Sequence, residues 1–183
     1  MLLLARNEKD ELKNAYILKL RPYLMALERE ERWTNGSGVQ IGALDWPNIT
    51  YYRSVFGFSV SFYQGQGATV FAPISAPDSK KGWKVESIMI RYSIFAPFTE
   101  FGFGGRIWRI YVLDAEKILS AIGNLNYGLT QGYEDLRLDL PEAKAYNYGL
   151  AVDIVVLFDW FSGPPLQTTF TTSSVGLRFV RTV

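Results

Sequence analysis

Between Leu150 and Trp160 the chain reads LAVDIVVLFDW, and its apolar side chains fall in strict alternation. Leu150, Val152, Ile154, Val156, Phe158 and Trp160 share one face. Ala151, Asp153, Val155, Leu157 and Asp159 form a mixed second face. A period of two with one dry side is the mark of a strand, here long enough to be the spine of a core. The same alternation recurs downstream of Val39. It predicts short strands over 39–44 and 49–55, then a strand over 56–63 with Phe56, Phe58, Val60 and Phe62 on one face. Another is expected over 68–74.

A longer strand is expected over 83–95. Trp83 and Val85 are out of phase there with Ile88, Ile90, Tyr92 and Ile94, which predicts a bulge near Glu86-Ser87. Strands over 106–114 and 136–140 follow, then the spine, then 166–172 and 175–183. The stretch 166–172 is rich in threonine and suits an exposed face. Turn chemistry separates the strands: Asp45-Trp46-Pro47-Asn48, Gln64–Gly67, the polar loop 75–82 and the Phe161–Pro165 turn. Asp114 reads as the N-cap of a short helix over 115–122, with Gly123 as its stop.

The first thirty residues carry a different period. Leu12, Tyr16, Leu20, Leu24 and Leu27 recur at steps of three and four, which predicts a helix within Asn7–Glu31 that ends or kinks at Pro22. Strict alternation at Tyr16, Leu18 and Leu20 leaves a strand open as the rival. The stripe either packs on its own domain or docks on a neighbour. Glu28–Arg32 is a solvated charge run, and Thr34–Gly38 is a loop. The expected organisation is therefore a helical arm, residues 1–34, followed by an all-β domain, residues 35–183. That domain is expected to be an antiparallel β-sandwich, favouring a jelly roll, with the N-terminal helix before it and one short inserted helix.

A length of 183 residues suits one large domain, and 48% hydrophobic residues with 15% aromatics place the chain among packed globular proteins. Nineteen basic and 18 acidic residues leave a net charge of +1, so no whole-molecule field draws in nucleic acid or an anionic membrane. Cysteine and histidine are both absent. This excludes disulfides, thiolate chemistry, Ser-His-Asp triads and His-ligated metal sites. No apolar run reaches the length of a membrane-spanning helix, and Met1–Leu4 lacks the organisation of a secretion signal.

Two carboxylates hydrolyse glycosides without His or Cys, and Asp153 and Glu86 are the acidic residues on predicted strands that such a pair would draw on. Their spacing shows no partner for either, so solvated strand positions are the expected reading and no catalytic residue is assigned. Glu134, Asp135 and Asp139 offer oxygen ligands without the spacing of a calcium loop. No cofactor is assigned.

Aromatics at turns are the most informative chemistry. Phe98, Phe101 and Phe103 fall close together around Gly102 and Gly104. Trp160-Phe161 precedes a Gly-Pro-Pro turn, and Trp33 and Trp46 sit at other turns. Such side chains cap the core or form a contact surface. The candidate interaction surface is Trp33, Trp46, Phe98, Phe101, Phe103, Trp160 and Phe161, with Leu12, Tyr16 and Leu20 on the arm.

Tyr148–Trp160 (YGLAVDIVVLFDW) and Thr168–Val180 (TTFTTSSVGLRFV) resemble the closing strands of many jelly-roll domains. With an N-terminal arm, an inserted helix and no catalytic set, the whole resembles the single jelly-roll structural proteins of icosahedral viruses and tailless phages. That resemblance implies a non-enzymatic capsid or decoration subunit made in a host cytoplasm and incorporated in the virion. Its partners would be copies of itself and other virion proteins. With no basic tail, direct nucleic-acid binding is not expected. The alternative is a carbohydrate-binding module or lectin-like sandwich, because exposed aromatics also stack on sugars, and its partner would be a glycan.

Overall fold

The computed structural model describes residues 26–41, 49–54, 57–96, 104–158 and 166–183. Among these the chain forms eleven strands: β1 (Leu27–Asn35), β2 (Gln40–Ile41), β3 (Thr50–Ser54), β4 (Gly57–Tyr63), β5 (Gly67–Ile74), β6 (Lys84–Phe95), β7 (Gly105–Asp114), β8 (Lys117–Ile122), β9 (Glu134–Ala145), β10 (Leu150–Phe158) and β11 (Gln167–Thr182). They build two antiparallel sheets. One has the order β3-β4-β11-β6-β9, with β1 added beside β11; the other has the order β2-β5-β10-β7-β8. After the β3–β4 hairpin the chain crosses from sheet to sheet at nearly every connection, so neighbours in space are distant in sequence. The all-β antiparallel sandwich expected from the alternation is the architecture observed.

The spine strand β10 lies in the middle of the five-stranded sheet, between β5 and β7. Its predicted dry face is dry: Leu150, Val152, Ile154, Val156 and Phe158 are all buried. They meet Phe58, Val60 and Phe62 of β4, Ile88, Ile90 and Ile94 of β6, and Phe170, Leu177 and Phe179 of β11 in one continuous core.

Bulges reset the side-chain phase where the sequence broke alternation. Opposite Lys144 and Asp139 of β9, the register of β6 skips Glu86, the position of the predicted bulge. A second bulge places Val155 opposite Arg109 and Val156 opposite Ile107, passing over Trp108. An extra residue shifts the phase by one. Ile107 and Ile110 consequently both face the core, although simple alternation would put them on opposite faces.

Three expectations need correction. The inserted helix over 115–122 is absent: Lys117–Ile122 is a strand hydrogen-bonded to β7 through a tight turn in which Ala115 has φ of 54°. A helix of that length is marginal by itself, whereas β7 offers an edge whose backbone groups need partners. Asp114 is no helix cap. It is buried, and its two carboxylate oxygens accept from the backbone N–H groups of Asn147 and Tyr148, each at 2.8 Å, stapling the turn before β10.

The expected N-terminal helix falls mostly on residues 7–25, outside the described residues. Its tail, Leu27–Glu31, is strand, because the charge run matches the strand beside it. Glu28 lies opposite Arg181 and Glu31 opposite Arg178, and both form ion pairs. Arg29 reaches across Val180 to Glu86 at 3.0 Å.

The Thr-rich stretch 166–172 lies only in part on an exposed face: Thr169 and Thr171 are partly exposed, but their neighbours are not. It is part of one 16-residue strand, and Thr168 and Thr172 are buried. Thr168 Oγ1 accepts from Gly105 N and donates to Phe95 O, and Thr172 Oγ1 donates to Arg91 O, so each hydroxyl has a backbone partner.

Candidate functional site

The solvent-facing side of the six-stranded sheet follows directly from the register. Trp33 of β1 lies opposite Gly176 of β11, Gly176 opposite Met89 of β6, and Met89 opposite Arg137 of β9. At ~4.8 Å between strands this row spans roughly 14 Å. Gly176 has no side chain, which leaves the space beside it to the Trp33 indole. A Cβ there would lie 2.7 Å from Trp33 Cδ2 and Cε3, so glycine is what lets the indole pack against the β11 backbone. Trp33 remains 46% exposed in that position.

A hollow of about 520 Å³ opens over this row. The rows on either side supply its walls. On one side Arg178 Nε donates to Glu31 Oε1 at 2.9 Å; on the other Arg91 approaches Asp135 at 3.9 Å. Arg137 closes the far end and is held by Asp139, with Nε to Oδ1 at 2.9 Å. An exposed aromatic face is thus framed by guanidinium–carboxylate pairs, which offer hydrogen-bond donors and acceptors in alternation with little net charge.

Of the ten residues proposed as an interaction surface, the structure describes Trp33 alone. Leu12, Tyr16, Leu20, Trp46, Phe98, Phe101, Phe103, Trp160 and Phe161 lie outside the described residues. Trp33 is not a loop aromatic, as the turn chemistry around Thr34–Gly38 suggested, but a strand residue on the sheet. Sequence reasoning missed its neighbours Met89, Arg137 and Arg178, because nothing local relates four strands so far apart. The signal within reach was Gly176, an isolated glycine inside a strand pattern, which marks a bulge or a close approach.

Asp153 and Glu86 do not converge. Asp153 lies on β10 and Glu86 on β6, in different sheets, and Glu86 is engaged by Arg29. Asp135 and Asp139 face separate arginines. No cluster of three metal-ligating side chains occurs among the described residues, and no described helix is long and apolar enough to cross a membrane.

No family model matches the sequence, and no curated protein does. Solved structures with a related chain path do exist. One is a low-affinity xylan-binding module of family 86 from Roseburia intestinalis, at 8% identity and TM-score 0.47, covering 81% of this chain and 94% of that one. Another is a family 29 carbohydrate-binding module from Piromyces equi, at 7% identity and TM-score 0.45, covering 84% and 91%. A family 61 module, solved with β-1,4-galactotriose, aligns at 9% identity and TM-score 0.45, covering 78% and 89%. No residue role is carried over from any of them. They do correct one expectation: these neighbours are carbohydrate-binding modules and not capsid subunits, so the reading as a virion structural protein is withdrawn.

Proposed function

We propose that this chain is a glycan-binding module on a jelly-roll sandwich, with the Trp33 hollow as its sugar site. The observation that carries this reading is the part-exposed indole packed against Gly176 at one end of a polar hollow. A pyranose has an apolar C–H face and an equatorial rim of hydroxyls. Trp33 suits the first, and the Glu31–Arg178 and Arg91–Asp135 pairs suit the second, since each hydroxyl both donates and accepts. The row, roughly 14 Å long by strand spacing, has room for a short oligosaccharide. Each contact is shared with water in the free state, so the expected affinity is modest.

The test is titration calorimetry after a glycan array of neutral and acidic oligosaccharides. Binding to at least one oligosaccharide is expected, weakened about tenfold or more in Trp33→Ala, if stacking a sugar contributes on the scale of the roughly 1–3 kcal/mol that base–aromatic stacking does. A flat array, or a binder indifferent to Trp33→Ala, would remove this site.

A further inference from the structure

The outer face of the six-stranded sheet continues past the Trp33 hollow onto a region without charge. Beyond Arg91 on β6, the next residue on that face is Ser93. It lies opposite Thr171 of β11, which lies opposite Ser59 of β4, and Ser59 opposite Tyr52 of β3. The row after it runs Phe95, Thr169, Ser61 and Thr50 across the same strands. The register of β11 skips Ser173, and this bulge resets the phase so that Ser174 and Gly176 share the outer face with Thr169 and Thr171. Ser174 and Arg91 line the hollow and are also the near neighbours of these rows, so the two regions adjoin. From Met89 to Phe95 the outer face extends roughly 20 Å along β6.

The two rows form a ladder of hydroxyls with an aromatic at either corner. Ser59 Oγ and Thr171 Oγ1 are 2.9 Å apart, Ser61 Oγ and Thr169 Oγ1 are 2.7 Å apart, and Thr130 Oγ1 lies 3.2 Å from Ser93 Oγ. A hydroxyl pair uses one proton internally and keeps the other proton and several lone pairs for a third group. Ser59, Ser61, Ser93, Thr169 and Thr171 all keep part of their surface in solvent. Tyr52 is 69% exposed and Phe95 59% exposed, at diagonally opposite corners of the rows.

We propose that this ladder continues the sugar site, and that the ligand is an extended, neutral polysaccharide chain running along β11 from Trp33 to the Tyr52 and Phe95 rows. The inference rests on the reading of the Trp33 hollow as a sugar site and names the class of glycan it takes. The chemistry of the ladder selects that occupant. A carboxylate or sulfate laid on these rows would lose water without meeting a cation in them. A wholly apolar partner would cover the hydroxyls and leave their remaining protons and lone pairs unmatched. A sugar chain matches both parts, with C–H faces for Tyr52 and Phe95 and hydroxyls for the rungs between them. Contact at the hollow holds the rest of the chain close to the ladder, so affinity rises with chain length.

The experiment is calorimetry on the full chain with xylotriose, xylohexaose, cellotriose and cellohexaose. Wild type is compared with Trp33→Ala, Tyr52→Ala, Phe95→Ala and Thr171→Val, and thermal melting checks that each variant is folded. A hexasaccharide that binds is expected to do so about tenfold or more tightly than its trisaccharide. Tyr52→Ala and Phe95→Ala should each weaken the hexasaccharide about threefold or more and leave the trisaccharide unchanged. Thr171→Val should shift the hexasaccharide in the same direction, and Trp33→Ala should weaken both lengths. Equal affinity for the two lengths, or a hexasaccharide indifferent to Tyr52, Phe95 and Thr171, overturns the ladder and leaves the Trp33 site standing. A hexasaccharide weakened by the ladder variants but not by Trp33→Ala overturns the hollow and keeps the ladder. If the array of the previous test binds only acidic glycans, and Trp33→Ala weakens them, the neutral chain is overturned while the hollow stands. If no glycan binds the wild-type chain, both fall.

Discussion

The two outer faces of the sandwich solve opposite problems. On the six-stranded sheet every charge near the Trp33 hollow is matched by a nearby partner: Glu31 with Arg178, Arg91 with Asp135, Arg137 with Asp139. On the five-stranded sheet Asp153 sits among Phe71, Tyr111, Ala151 and Val155 with an oxygen left unmatched. The first face is already satisfied and asks little of a ligand beyond an apolar surface to stack on. The second is incomplete by itself. Matched pairs cost the free protein little, whereas a buried acceptor without a donor carries a cost in stability.

The contrast can be broken most severely within a single sheet. Asp114 and Asp153 are two aspartates on adjacent strands of the five-stranded sheet. Asp114 accepts two backbone N–H groups, so Asp114→Ala should cost about 3 kcal/mol by stranding both donors. Asp153→Asn should shift the denaturation midpoint the other way. The gain should be less than about 1 kcal/mol, because the group is only half-buried and partly screened by solvent. Urea melts of both variants at neutral pH read the two signs directly. The same sign for both would remove the distinction between a satisfied and an orphan carboxylate.

A smaller effect sharpens the other face. Gly176→Val puts a side chain where Trp33 Cδ2 and Arg32 O already lie, at 2.7 and 2.8 Å from the Cβ position. It should cost about 2 kcal/mol through overpacking and raise the indole from the sheet. Trp33 fluorescence and glycan affinity should change together. The smallest effect concerns the ion pairs. Glu31→Gln loosens Arg178 and should cost only about 0.4 kcal/mol, a loss that shrinks with added salt. A loss above about 2 kcal/mol, or one insensitive to salt, would mean that the pair secures β1 to the sheet and not merely the wall of the hollow.

Much of the fold was written locally. Alternation located the core faces of β4, β6 and β10, and the broken phase at Glu86 located a bulge. These succeed because a strand buried on one face imposes its period on its own residues. The failures share a cause as well. Spacing alone does not separate helix from strand over 117–122. Ile118, Leu119 and Ile122 fit one helical turn as well as a strand, and the free edge of β7 decided between them. Glu28–Arg32 read as solvated charge because its partners Arg178 and Arg181 stand about 150 residues away. The loop aromatics suggested an assembly surface, while the one described member of that set, Trp33, proved to be a sheet residue beside a polar hollow.

The sequence by itself determined the class: an all-β antiparallel sandwich, dense in aromatics, without the histidine or cysteine that most catalytic and metal sites need. It also determined that Asp153 stands on the face of β10 opposite the core. Only the tertiary structure decided what surrounds these positions. Alternation tells which way a side chain points, but not which strand lies next to it. Trp33 meets Gly176, and Asp153 meets Phe71 and Tyr111, through pairings whose loop-closure entropy is overcome only when the whole core assembles. The candidate site is made of such pairings, which is why it was not visible along the chain.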